Sequence, residues 1–160
     1  MTHYHSTFPS PFGAFSVAVD EAGAVTRTSF GGFDSLKRGA AGQWECDKRR
    51  TAEARGQLEA YFEGRLRDFS LTLAPAGSVF QQRVWKLLCD IPYGETRSYG
   101  EIARRLESSA RAVGGANGSN PVCVIVPCHR VIGSDGSLTG FGFGEELKRR
   151  LLVHEGALIA

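Results

Sequence analysis

Ser98-Tyr99-Gly100-Glu101-Ile102-Ala103-Arg104-Arg105-Leu106, followed by Glu107-Ser108-Ser109 and then Ala110-Arg111-Ala112-Val113-Gly114-Gly115-Ala116-Asn117, is the stretch on which the fold turns. Ser98 with Glu101 three residues on is a capping box, which opens a helix by satisfying its first free N–H groups. Tyr99, Ile102, Ala103 and Leu106 then fall on one face. Ser108-Ser109 is a short turn, and a second helical segment begins at Ala110. Two short helices across a tight turn are the outline of a helix-turn-helix, although plain helical hairpins share it. The second segment is rich in Ala and Gly, and each Gly costs about 1 kcal/mol of helix propensity against Ala. Either its backbone approaches another surface closely, or the small residues pack it tightly on its own core.

Upstream the pattern is helical as far as Ser78, where a further capping box pairs Ser78 with Gln81. Phe80, Val84, Leu87, Leu88 and Ile91 form an apolar stripe, and Pro92-Tyr93-Gly94 ends the helix. Ala74-Pro75-Ala76-Gly77-Ser78 reads as a linker. Before it, Phe15, Val17 and Val19 alternate with smaller residues as a strand, Glu21-Ala22-Gly23 turns, and Val25 to Phe30 returns. Ala54, Leu58, Tyr61 and Phe62 predict a helix from about Thr51 to Glu63, with Gly64 to end it. Phe69, Leu71 and Leu73 alternate as a third strand. The expected fold class is therefore α+β. A small N-terminal α/β domain with a short antiparallel sheet (1–75) precedes a mainly helical, winged-helix-like helix-turn-helix domain (76–160).

Downstream, Pro121-Val122-Cys123-Val124-Ile125-Val126 is a β-branched run that predicts a buried strand. It leads straight into Pro127-Cys128-His129-Arg130-Val131. An unperturbed thiol with a pKa near 8.5 is only roughly 3% thiolate at pH 7, so a nucleophilic cysteine needs a base or a cation beside it. His129 can serve, but neighbours on a regular strand point to opposite faces. The pair works only if the chain turns at Cys128, and Glu155 is a candidate to orient the imidazole.

Composition bounds the class. The chain has 160 residues, 42% of them hydrophobic, enough to bury a core in one or two small domains. No apolar run reaches membrane-spanning length, and Met1 to Phe15, broken by Pro9, Pro11 and Gly13, lacks a signal-peptide pattern. A cytoplasmic protein without membrane association is expected. Residues 1–75 carry nine Lys/Arg and nine Asp/Glu, and residues 76–160 ten and eight, so the net +2 lies in the second half. That tilt is too small to mark a nucleic-acid binder by itself. Cys46, Cys89 and Cys123 read as buried small hydrophobes, and no close pair of ligands suggests zinc. No metal or cofactor is expected.

The motif Pro127-Cys128-His129-Arg130-Val131 resembles the active-site motif of the O6-alkylguanine-DNA alkyltransferases. Phe80-Gln81 with Val84-Trp85, Ile91-Pro92-Tyr93-Gly94 and Ser98 to Ala103 are similar to the family's preceding helices. Arg111-Ala112-Val113-Gly114 and Asn117-Gly118-Ser119-Asn120-Pro121 resemble its recognition helix and the Asn hinge after it. Asp135 to Gly140 and Leu151 to Gly156 match its closing segments.

The resemblance implies a DNA-repair protein, acting as a monomer, that moves an alkyl group from O6 of guanine irreversibly onto its own cysteine. Its partner would be double-stranded DNA carrying the lesion, bound through the minor groove with the damaged base flipped out. By position, Cys128 is the acceptor, His129 takes its proton through a water, and Glu155 orients His129. Asn120 braces the turn, and Tyr99 donates to a ring nitrogen of the departing guanine. Arg111 fills the stack, with Ser98, Ala112, Gly114, Gly115 and Asn117 completing the DNA-binding set. Val131, Leu138, Thr139, Phe141 and Gly142 line the pocket. Phe141-Gly142-Phe143-Gly144 departs from the family's more common Tyr-x-Gly-Gly. The rival reading is a non-catalytic alkyltransferase-like protein that binds the lesion; such proteins usually carry tryptophan at the cysteine position, so Cys128 favours the enzyme.

Overall fold

The computed structural model describes residues 1–160 and divides the chain into two compact units, Met1–Ala76 and Gly77–Ala160. The first holds a four-stranded sheet of order β3-β2-β1-β4, built from β1 (Thr2–Ser10), β2 (Gly13–Val19), β3 (Val25–Phe30) and β4 (Gln43–Cys46), with helices α1 (Phe33–Lys37) and α2 (Ala52–Phe62). Alternation in β2 puts Phe15, Val17 and Val19 in the core. The Phe15 ring packs on Phe8, Phe30 and Phe62 at centroid distances of 5.8, 5.0 and 5.1 Å. Ala54, Leu58, Tyr61 and Phe62 of α2 are buried as their spacing predicts. Gly64, at φ 78°, closes α2: its own N–H bonds Tyr61 O and that of Arg65 bonds Ala60 O.

Three parts of this unit differ from the sequence expectation. The long strand β1 lies inside the sheet, antiparallel to β2 and parallel to β4, so the sheet is mixed rather than wholly antiparallel. Its buried positions include His3 and Ser6, one on each face of the strand, which spoils the apolar alternation; they are satisfied by Thr26 Oγ1 at 3.4 Å and Thr51 Oγ1 at 2.7 Å. Residues 69–73 form no strand and meet β3 only through Val25, which donates to Thr72 O and accepts from Ala74 N–H. Cys46 is exposed rather than buried; in the second unit Cys89 is likewise exposed, while Cys123 is buried as expected.

The second unit runs α3 (Val79–Cys89), β5 (Arg97–Ser98), α4 (Tyr99–Leu106), α5 (Ala110–Gly118), a 3-10 turn (Cys128–Arg130), β6 (Val131–Ile132) and α6 (Glu145–His154). The Ser78–Gln81 capping box is complete in both directions. Ser98 caps α4 through Glu101 N–H, and Ser109 caps α5 through Ala112 N–H. Trp85 donates its indole N–H to Ala116 O at 2.8 Å, which pins α3 to α5 from the core side. The α4–α5 pair is thus a helix-turn-helix, its turn made by Glu107 in the left-handed region at φ 52°.

The run Pro121–Val126 is buried but is not a strand. Val124 sits at φ 73°, Ile125 N–H bonds Cys123 O, and Val126 N–H bonds Val122 O, folding the segment into a compact loop. A β-branched residue at positive φ is held there only by its surroundings, at a cost of about 1–3 kcal/mol. The surroundings are supplied by Asn120, whose Oδ1 accepts from Val122 N–H at 3.0 Å while Nδ2 donates to Val126 O at 2.9 Å. No helix of the chain is long and apolar enough to cross a membrane.

Candidate active site

The loop braced by Asn120 delivers the chain into the 3-10 turn that starts at Cys128. Cys128 N–H bonds Val126 O at 2.8 Å and Arg130 N–H bonds Pro127 O at 3.0 Å. This turn replaces the alternation of a strand, so adjacent Cys128 and His129 no longer diverge as strand neighbours do. β6 then pairs with β5 in parallel, Arg97 with Val131 and Ser98 with Ile132, which ties the entrance of the helix-turn-helix to the segment after the cysteine.

His129 is fully buried, and its Nε2 lies 2.8 Å from Glu155 Oε2. Its Nδ1 is buried with no hydrogen-bond partner. Glu155 sits at the C-terminal cap of α6 and also accepts from Arg130, Oε1 from Nε at 2.8 Å and Oε2 from Nη2 at 3.1 Å. Burial alone would raise the Glu155 carboxyl, but the hydrogen bonds from His129 and Arg130 and the positive charge beside it outweigh that and hold the group at about 2. It is therefore a carboxylate at neutral pH.

Cys128 is 5% exposed. Burial pushes its thiol up, against the smaller opposing effects of Asn120, the Lys148 charge and backbone N–H groups. The resting group is a thiol, so its use as a nucleophile requires proton removal. Tyr99 is also pushed up, by burial first and by Cys128 second, with Asn117 opposing. It keeps its phenolic proton as a donor, and its Oη donates to Thr139 O at 2.9 Å.

Sequence reasoning missed Lys148 and Arg130. Lys148 is fully buried in α6, donates to Val131 O and to Thr139 O, and lies 5.7 Å from the centroid of the Tyr99 ring. Burial lowers its ammonium to about 8. A lysine inside an otherwise amphipathic helix gives no sequence signal, since its partners are carbonyls remote in sequence. Gly140, at φ 92°, also lies against Tyr99, and a Cβ there would collide with the phenolic oxygen.

The remaining predicted residues divide. Arg111, Ala112 and Gly115 are exposed on α5 and Gly114 is half-buried, forming one accessible face. Asn117 is not on that face: it is 2% exposed and donates to Cys128 O at 3.2 Å, so it supports the cysteine from beneath and cannot reach a groove. The Ser98 hydroxyl oxygen is engaged in capping α4. Val131 is fully buried and pairs in β6, so its side chain lines no open surface. Leu138 and Phe141 are half-buried, Thr139 and Gly142 exposed. A cavity of about 460 Å³ lined by Leu87, Asp90, Ile91, Arg97 and Ile102, among others, does not include Cys128, His129, Glu155, Tyr99 or Lys148 in its lining.

Comparison with known proteins agrees over both units. Residues 3–75 match the ribonuclease-like domain, and residues 79–157 the DNA binding domain, of the 6-O-methylguanine DNA methyltransferase family. The methylated-DNA–protein-cysteine methyltransferase of Methanosarcina acetivorans is 45% identical over 156 residues, spanning 96% of this chain and 99% of that protein. That of Mycobacterium tuberculosis is 48% identical over 157 residues, 97% of this chain and 93% of its own. The crystal structure of Mycobacterium tuberculosis OGT in complex with DNA is similar with a TM-score of 0.86 at 45% identity, covering 96% of this chain and 93% of that one. The O6-methylguanine-DNA methyltransferase of Pyrococcus kodakaraensis follows with a TM-score of 0.69 at 25% identity, covering 96% and 99%. The chain belongs to the 6-O-methylguanine DNA methyltransferase family.

Proposed function

We propose that this protein repairs O6-alkylguanine in DNA by transferring the alkyl group irreversibly to Cys128, one lesion per molecule. The observation that carries the reading is the buried His129–Glu155 pair next to buried Cys128, in which the imidazole has one nitrogen on the carboxylate and the other without a partner. Cys128 Sγ attacks the alkyl carbon; the S–C bond forms as the C–O6 bond breaks, and that electron pair leaves with the guanine. The thiol proton passes through a water to His129 Nδ1, and the guanine regains a proton from solvent. Tyr99, released from Thr139, donates to a ring nitrogen of the departing base and stabilises its charge. The product is a thioether, which water does not readily cleave, so the protein is consumed.

The reacting carbon cannot be reached inside a duplex, and extruding the base costs about a few kcal/mol. The exposed small-residue face of α5 suits close approach to the minor groove, with Arg111 entering the stack in place of the flipped base. Leu138, Thr139, Phe141 and Gly142 form the wall beside the extruded guanine. The reaction needs a reduced thiol and access to DNA, which suits a cytoplasmic protein acting as a monomer. The test is stoichiometry: with methylated duplex in excess, repaired guanine should equal protein and then stop. His129→Phe should slow this by roughly 100-fold or more with little loss of DNA binding. Continued turnover, or a wild-type rate in the variant, would contradict the reading.

A further inference from the structure

Glu155 is a buried carboxylate with two cationic or potentially cationic neighbours, and the geometry divides its oxygens unequally between them. Oε1 accepts from Arg130 Nε; Oε2 accepts from Arg130 Nη2 and faces His129 Nε2. Arg130 is itself fixed at two further points. Its Nη1 donates to Ile91 O at 2.7 Å, and its guanidinium carbon lies 5.6 Å from the centroid of the Tyr93 ring. Ile91 follows the end of α3, so the guanidinium joins that end to the cap of α6 and cannot swing away without breaking three hydrogen bonds.

We infer that Arg130 is a positioning residue that sets the tautomer of His129, keeping the proton on Nε2 and the lone pair on Nδ1. A bidentate guanidinium fixes both the plane and the charge of a carboxylate. A carboxylate only accepts, so the hydrogen shared with His129 has to reside on Nε2. Nδ1 is then the acceptor, which matches its lack of a donor partner in the buried site. Arg130 also supplies the counter-charge of Glu155, so the imidazole need not be an imidazolium for the buried carboxylate to be compensated. Other ionisable groups beside this cluster are Cys128, Lys148 on α6, Cys89 near Arg130, and Tyr93, whose ring faces the guanidinium.

This inference rests on the reading of His129 as the base, and the experiment separates the two. Long-range proton–nitrogen NMR of His129 in the unmodified protein at neutral pH should show the Nε2–H tautomer. Arg130→Met should lose that signature, because Glu155 then takes up a proton or shares one with the imidazole. Its transfer rate at saturating duplex should fall by about 100-fold, with duplex affinity within about twofold. Arg130→Lys, which keeps a charge on Glu155, should retain the signature and most of the rate. An Nδ1–H tautomer in the unmodified protein overturns the inference even if Arg130→Met does not fold. A slow Arg130→Met that keeps the Nε2–H tautomer also overturns it, by showing that Arg130 acts only through packing. If the unmodified protein transfers no methyl group to Cys128, it is the reading of the reaction that fails, whatever the tautomer.

Discussion

His129 Nε2 and Glu155 Oε2 stand 2.8 Å apart with both side chains fully shielded from solvent, although 26 positions separate them in the chain. The 3-10 turn at Cys128 brings one partner and the cap of α6 the other. A buried pair of this kind is a liability unless every polar atom is engaged. Glu155 meets that condition through Arg130, and the nitrogen left over is the one that can do chemistry.

The Glu155 carboxyl titrates at about 2 in the folded protein against 4.5 ordinarily. Between those values the unfolded chain binds more protons than the folded one, so stability falls as the pH drops through that window. Above pH 5 the group contributes on the order of 3 kcal/mol, which is gone below about pH 2. Urea unfolding from pH 6 to pH 2 should show this loss in the unmodified protein. Glu155→Gln should lack that component, so the two stabilities should converge as the pH falls. Parallel pH dependences would contradict the assignment.

Asn120 satisfies two buried backbone groups and holds Val124 at positive φ. Asn120→Ala leaves both unpaired, and each costs about 1–3 kcal/mol. The unfolding free energy should drop by roughly 2 kcal/mol or more, and the transfer rate should drop with it because the loop sets the position of Cys128. Chemical denaturation with a parallel single-turnover assay checks both. Unchanged stability would show that the loop is held by packing alone.

The capping serines, the α3 and α2 stripes and the Cys128–His129 adjacency were legible because each is a local pattern. Composition misled at Pro121–Val126: β-branched residues suit a strand, but Asn120 offers the backbone a competing set of hydrogen bonds and the run closes into a loop. β1 gives no clear local pattern because polar His3 and Ser6 occupy buried positions on its two faces, and their partners, Thr26 and Thr51, are far along the chain. The family resemblance puts Asn117 in the DNA-binding set, yet the helical phase of α5 turns it toward Cys128. Arg130 and Lys148 carry no local signal at all. Their roles depend on Glu155, Ile91, Val131 and Thr139, which only the tertiary fold brings within reach.

Arg111 is exposed near the start of α5. As a stack filler it would offset part of the few kcal/mol of unstacking; as a phosphate contact it would add only salt-dependent affinity. Arg111→Ala should react almost normally with free O6-benzylguanine, which needs no flipping, and slowly with duplex even at saturation. Recovery of the normal rate at saturating duplex would reduce Arg111 to a phosphate contact. An equal loss on the free base would make it a support of the pocket.

The central claim is that Cys128 is the acceptor, and intact-protein mass spectrometry followed by peptide mapping tests it most directly. After reaction with excess O6-methylguanine duplex, each chain should gain one methyl group, located on Cys128, and Cys128→Ser should bind the same duplex and gain none. A methyl group on Cys46, Cys89 or Cys123, or repair that continues with no mass gained, would contradict the account.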